Sequence, residues 1–206
     1  MKRVTLSMRA RMPRLARSTF RLVRSVYEQP VSQQLPAELL ADCRFCASRV
    51  DMLDYLPRGG VVAELGTQKG DFAREIVTRT QPAELHLIDL NYSAFSDAGL
   101  GDAKLHQGDT VAVIGRFPDE YFDWIYVDAG HSYEAVITDA RACAPKVKPG
   151  GFLVFNDFAH IDPYLGRYGV HRAVVEFATS ARWPFRLFAY QPAGLYDVAL
   201  QRPVIS

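Results

Sequence analysis

The sequence predicts an α/β fold, a doubly wound and mostly parallel seven-stranded sheet with a C-terminal antiparallel hairpin and N-terminal helices. Three observations predict it. From Val61 onward short apolar runs alternate with longer segments of helical period, the pattern of strands joined by crossover helices. The last two apolar runs are separated by Gln191-Pro-Ala-Gly194, which reads as a hairpin turn. A glycine-bearing turn, Glu64-Leu-Gly66-Thr-Gln-Lys-Gly70, follows the first run and opens a helix, where such a sheet binds its ligand.

Parallel strands are expected at residues 61–65, 85–88, 104–106, 124–127 and 152–155, with helices at 71–80, 110–116, 133–144 and 170–180. Residues 185–189 and 196–200 form the expected closing hairpin, which completes a Rossmann-like sheet. Phe122, Trp124 and Phe152 stand at strand spacing and are assigned to the core. Upstream, two helices are expected, at 13–28 and 36–56. The second carries Leu39, Leu40, Cys43, Cys46, Ala47, Val50 and Leu53 at helical spacing, a face that should pack on the domain. Pro57-Arg-Gly-Gly60 ends it. The chain therefore divides into a basic arm (1–27), a helical segment packed on the core (28–60) and a ligand-binding domain (61–206).

Composition excludes several classes. With 49% hydrophobic residues and 23% charged ones the chain is neither disordered nor fibrous. Cys43, Cys46 and Cys143 make an odd count without a secretory signal, so reduced thiols and a cytoplasmic location are expected. The Cys43-x-x-Cys46 spacing lacks the second pair that zinc needs, and two buried or half-buried thiols are expected. No apolar run is long enough to span a membrane. The net charge of +1 conceals an asymmetry: residues 1–27 hold eight basic residues and no acid, leaving 16 basic against 23 acidic residues, a charge of −7, in the remainder.

The Glu64-Leu-Gly66 turn has G-x-x-x-G spacing with an acid two residues before the first glycine. An acid there repels a pyrophosphate and attracts an ammonium group. Ile88-Asp89 ends the next strand, 25 residues after Glu64, and Gln107-Gly-Asp109-Thr110 ends the third. These motifs resemble those of class I S-adenosylmethionine-dependent methyltransferases. The resemblance implies S-adenosylmethionine as cofactor, with Glu64 near its methionine end, Gly66, Thr67 and Gly70 wrapped around it, Asp89 on the ribose hydroxyls, and Asp109 and Thr110 at the adenine.

Asp128-Ala-Gly-His131 ends the fourth strand and Asn156-Asp157 the fifth. Adjacent strand tips meet at the ligand crevice, so Asp128 and Asp157 should face one another. A hard divalent cation such as Mg²⁺ would relieve their repulsion, with Asn156 as a further oxygen ligand. The arrangement is similar to metal-dependent O-methyltransferases, both the catechol type and the type that methylates sugar hydroxyls of antibiotics; the run Asp128-x-x-His131-Ser-Tyr-Glu is more like the latter. The catechol type has Asp then Asn after the fifth strand, whereas this chain has Asn156 then Asp157. The resemblance implies metal-assisted O-methylation of a hydroxylated small molecule, a sugar or glycoside among them. Asp128 also borders the cofactor, and His131 stands where the catechol type has its basic Lys. An imidazole near neutrality suits that work. Tyr133, His160 and Tyr164 are candidates for the acceptor pocket. A base-methylating enzyme of this fold carries Asn/Asp-Pro-Pro-Tyr/Phe in place of Asp128-Ala-Gly-His131, so a DNA base is not the expected substrate. The other readings are a metal-independent methyltransferase and a cofactor-binding accessory or scaffold protein without methyl transfer.

In the arm, Arg14, Arg17, Arg21 and Arg24 share one helical face. Such a face suits packing on the −7 domain, docking to an anionic membrane surface or partner, or contact with nucleic acid. Arg-rich, acid-free amino termini also resemble organelle transit peptides. Homo-oligomerisation through the arm is a further expectation.

Overall fold

The computed structural model describes residues 32–162, 166–191 and 196–204. The expected helix at 13–28, the basic arm, Tyr164 and most of the 191–194 turn lie outside the described residues. Eight strands form the main sheet: β1 (Arg44–Cys46), β2 (Val61–Leu65), β3 (Glu84–Asp89), β4 (Lys104–Gln107), β5 (Phe122–Val127), β6 (Val147–Phe155), and, after a minor strand pair, β9 (Phe185–Tyr190) and β10 (Tyr196–Gln201). The minor pair, β7 (Ile161–Asp162) and β8 (Gly166–Arg167), is an antiparallel ribbon not expected from the sequence.

The strand order is β1-β9-β10-β6-β5-β2-β3-β4. Strands β2 through β6 run parallel, and β10 runs antiparallel to both β6 and β9. The fold is the expected Rossmann-like one. Because the chain builds outward from β2 to β3 and β4, then crosses back to place β5 on β2's other side, the direction of winding reverses there. At such a reversal the connections leave a crevice beyond the strands' carboxyl ends.

Side chains alternate across the sheet and both faces are covered. Val62, Leu85, Leu87, Trp124, Tyr126 and Val154 pack in one layer with Phe72, Ile76, Met52 and Leu53. Leu65, Ile88, Ile125, Val127, Leu153 and Phe155 pack in the other. The first layer is closed by α1 (Arg49–Met52) and α2 (Asp71–Thr80); the second by α3 (Thr110–Ile114), α4 (Tyr133–Cys143) and α5 (Val170–Ala181). Burial on two faces explains why these strands read as nearly continuous apolar runs.

One expected element is corrected. Residues 36–56 are not a single helix: a 3-10 turn (Ala37–Leu40), strand β1, helix α1 and a second 3-10 turn (Leu53–Tyr55) follow one another. Asp42 takes the left-handed conformation, with φ of 62°, which ends the first turn. Arg44, Phe45 and Cys46 then pair in parallel with Leu187, Phe188 and Ala189 of β9. Ser48 starts the next helix by accepting a hydrogen bond from the Asp51 amide (3.0 Å). Pairing to an open sheet edge thus outweighs local helical periodicity, and adds the eighth strand. The burial that the periodicity expressed survives in part: Leu39, Cys46 and Leu53 are buried, whereas Leu40 is exposed. All three cysteines are free thiols, Cys43 half-buried and Cys46 and Cys143 buried. Among the described residues no helix is long and apolar enough to cross a membrane.

Trp124 is fully buried at the centre of the sheet, and its indole donates to the Pro57 carbonyl at 3.2 Å. Trp124→Ala should cost about 3–5 kcal/mol, read as a lowered midpoint in urea denaturation.

Candidate active site

A cleft of about 970 Å³ opens over the carboxyl ends of β2, β3, β5 and β6. Gly66 has a left-handed φ of 85°, and a Cβ there would collide with the Asp128 carbonyl. The glycine is therefore needed for β2 and β5 to continue side by side, as well as for ligand approach. Backbone hydrogen bonds lock the strand tips together: Gly66 N donates to Ile88 O (2.8 Å), Asp128 N to Leu65 O (2.8 Å) and Asn156 N to Val127 O (3.1 Å).

Asp89 is oriented by its surroundings. One carboxylate oxygen accepts from the Gln68 amide (2.8 Å), the other from the Asn91 amide (3.2 Å). Each oxygen keeps acceptor capacity facing the cleft, the requirement for gripping a ribose diol. Asp109 and Thr110 also line the cleft, but their side chains serve the fold. Asp109 caps α3 by accepting from the Ala112 amide, and the Thr110 hydroxyl donates to Asp139 at 2.5 Å. They shape the turn that the cofactor would meet.

Glu64, Thr67 and Gly70 stand behind the cleft lining. Gly70, at φ 80°, begins α2. Glu64 is 2% exposed, and its Oε2 atom is buried without a hydrogen-bond partner, as is the Thr67 hydroxyl. Burial pushes the Glu64 carboxyl up to about 8. A buried carboxyl with an unused oxygen fits a cofactor that carries an ammonium group.

Asp128, His131 and Asp157 converge. The His131 Nε2 atom stands 3.4 Å from Asp128 Oδ1 and 3.5 Å from Asp157 Oδ2. The Asp128 carboxylate is the main influence raising the His131 pKa, against burial that lowers it, and Asp157 adds to it. Burial raises the Asp157 carboxyl, and His131 pulls it the other way. Asp157 is held in the left-handed region at φ 55°, an uncommon backbone state that concentrates at functional sites. Tyr168 stacks on both His131 and His160, with ring centroids 4.9 and 4.4 Å apart. Gly169 N donates to the His131 carbonyl at 2.9 Å. Tyr168 thus packs against the imidazole without itself lining the cleft. Tyr133 points elsewhere: its hydroxyl donates to Glu176 at 2.6 Å.

The expected Mg²⁺ set is arranged differently from the expectation. Among the described residues no group of three His, Cys, Asp or Glu side chains is disposed to hold a metal. The imidazole lies between the two carboxylates and supplies the positive charge that the cation was invoked to supply. The Asn156 amide nitrogen donates to the Tyr126 hydroxyl (3.2 Å) and to Asp197 Oδ1 (3.1 Å), while the residue still lines the cleft beside His131. Asp197 also accepts from Tyr126 (2.6 Å) and Gln191 (2.6 Å), and burial pushes its carboxyl up to about 6. In this arrangement the imidazole takes the place between Asp128 and Asp157 that a shared cation would need.

Sequence reasoning missed Arg49, Gln68, Gln191 and the Tyr126–Asp197 pair. Asp197 had a signal, an acid inside an otherwise apolar strand run, whereas Arg49 lies in a segment without any motif.

Residues 63–158 match a family model described as a methyltransferase domain. No curated protein sequence matches the chain at a significant level. Among solved structures, an O-methyltransferase family protein from Burkholderia thailandensis superposes with a TM-score of 0.58 at 14% identity, covering 76% of this chain and 56% of that one. A SAM-dependent methyltransferase from Methanosarcina mazei gives a TM-score of 0.56 at 14% identity over 75% of this chain and 97% of that one. The N-methyltransferase NodS from Bradyrhizobium japonicum gives 0.56 at 17% identity over 76% and 95%. The chain thus spans little more than half of the Burkholderia protein.

Glu64 sets a pH dependence for the empty protein. Its folded pKa of about 8 exceeds the ordinary 4.5, so the unfolded chain binds fewer protons and stability falls as pH rises from about 4.5 to about 8. Glu64→Gln removes that loss, and a thermal melt series across this range should show the wild-type Tm falling relative to the variant. Equal slopes would mean that Glu64 ionises freely in the fold. Residues 63–158 are matched by a methyltransferase domain, and the fold that carries them is that of the S-adenosylmethionine-dependent methyltransferases.

Proposed function

We propose that this protein transfers a methyl group from S-adenosylmethionine to the hydroxyl of a small molecule, with His131 as general base and without a metal. The observation that carries the reading is His131 Nε2 poised between the Asp128 and Asp157 carboxylates at the mouth of the β5 and β6 strand tips. The match of residues 63–158 supports methyl transfer, and the oriented Asp89 and unpartnered Glu64 support the cofactor. When bound, S-adenosylmethionine supplies an electrophilic methyl group.

What remains for the protein is to align the acceptor oxygen and to take its proton. His131, in its neutral form, accepts that proton on its imidazole, whose Nε2 edge faces Asp128 and Asp157. The imidazolium so formed is stabilised by Asp128 and Asp157, whose charges need no rearrangement as it appears. Tyr168, whose ring centroid lies 4.9 Å from that of the imidazole, packs against it and helps hold it in place. Because the related structures include both O- and N-methyltransferases, the acceptor atom is argued from this site and not from the fold.

His131→Gln should lower kcat by about 10²–10⁴-fold while calorimetry finds cofactor affinity within about threefold of wild type, since the base is not asked to bind the cofactor. The wild-type rate should rise with pH as His131 loses its proton, with its midpoint above the ordinary histidine value of 6.5; the variant's profile should be flat there. A variant that keeps the wild-type rate and profile rejects His131 as the base. Turnover should persist after exhaustive EDTA treatment. Activity lost to EDTA and restored by Mg²⁺ would show that the cation displaces the imidazole and that the metal-assisted mechanism holds.

A further inference from the structure

Arg49 lines the same cleft as Gly66, Gln68 and Asp128, yet the proton transfer described above gives it no task. Its position is set by α1, whose start is capped by Ser48. The guanidinium carbon stands over the Phe72 ring, 4.6 Å from its centroid, and the Phe72 ring packs on Tyr126 with centroids 4.3 Å apart. A guanidinium over an aromatic face keeps several N–H donors for other partners, and the Tyr126 hydroxyl takes one of them.

The acids around Arg49 are otherwise engaged. Asp197 accepts from Tyr126, Asn156 and Gln191, and Asp128 pairs with His131. Glu64, within electrostatic reach, is held largely as the neutral acid by burial. Among the described residues no carboxylate stands within ion-pair distance of the Arg49 guanidinium. The cleft therefore holds a fixed cation with donors to spare, next to a buried carboxyl with an unused oxygen.

A cation and an acid side by side match a zwitterion. Asp89, Asp128 and Asp157 line the cleft as well, so a phosphate dianion would be repelled, whereas a carboxylate on a molecule that also bears an ammonium is accepted. We propose that Arg49 binds the α-carboxylate of the methionyl part of S-adenosylmethionine, with Glu64 serving the neighbouring ammonium. This assignment rests on the cofactor reading above and deepens it. It also gives the segment before β2, outside the matched residues 63–158, a direct part in cofactor binding.

The test compares two ligands by calorimetry on the full chain: S-adenosylhomocysteine, which has the amino-acid part, and 5′-methylthioadenosine, which lacks it. Arg49→Ala should weaken S-adenosylhomocysteine by about 10–100-fold, the scale of a hydrogen bond between charged groups, and leave methylthioadenosine within about twofold. Arg49→Lys should recover part of the loss, because it keeps the charge and loses the planar fork. If Arg49→Ala does not fold, Arg49→Lys carries the test through a lowered preference for S-adenosylhomocysteine over methylthioadenosine. Equal weakening of both ligands, or no weakening of S-adenosylhomocysteine, overturns the role of Arg49 while leaving the cofactor reading standing. Wild-type protein that binds neither ligand overturns the cofactor reading and this assignment together.

Discussion

Negative charge gathered at one edge of a parallel sheet is the constraint on which the site depends. Glu64, Asp128 and Asp157 sit at or just beyond the ends of β2, β5 and β6, adjacent strands whose tips are pinned by backbone hydrogen bonds. Asp197, from antiparallel β10, comes up beside them. Carboxylates brought this close and partly desolvated cannot all stay charged without compensation. The protein answers in three ways. Glu64 is buried until its pKa reaches about 8, Asp197 receives three hydrogen-bond donors, and two cations, Arg49 and His131, stand among the rest.

Each compensating group has a consequence for chemistry. A histidine between two acids is a stronger base than a solvated one, and its conjugate acid is already provided for. An arginine stacked on Phe72 and left without a carboxylate partner supplies binding capacity for an anion. Asn156 answers the same balance, its amide nitrogen donating to Asp197 and Tyr126. The order Asn156 then Asp157, with Asp157 in the left-handed region, lets Asn156 reach the buried Asp197 while both residues line the cleft.

Described residues beyond β6 buttress the imidazole. Gly169 packs against the start of α4, where a Cβ would meet the Tyr133 backbone, and its amide binds the His131 carbonyl. That close approach brings Tyr168 onto the imidazole and His160 onto Tyr168.

The sequence by itself determined the parallel strands, their crossover helices and the acids at their ends, because both depend on local patterns: apolar runs buried on two faces, and glycine turns at strand tips. It also determined that Asp128 and Asp157 would meet, since adjacent parallel strands leave no other place for their ends. Only the tertiary structure decided that residues 44–46 pair with β9 instead of continuing a helix, because a helix buries its face one turn at a time while an open sheet edge rewards extended backbone with hydrogen bonds. It alone decided that His131, and not a metal ligand set, lies between the two acids, and that Arg49 reaches the cleft. Those outcomes turn on a balance of charge among side chains far apart in the chain, which no local pattern records.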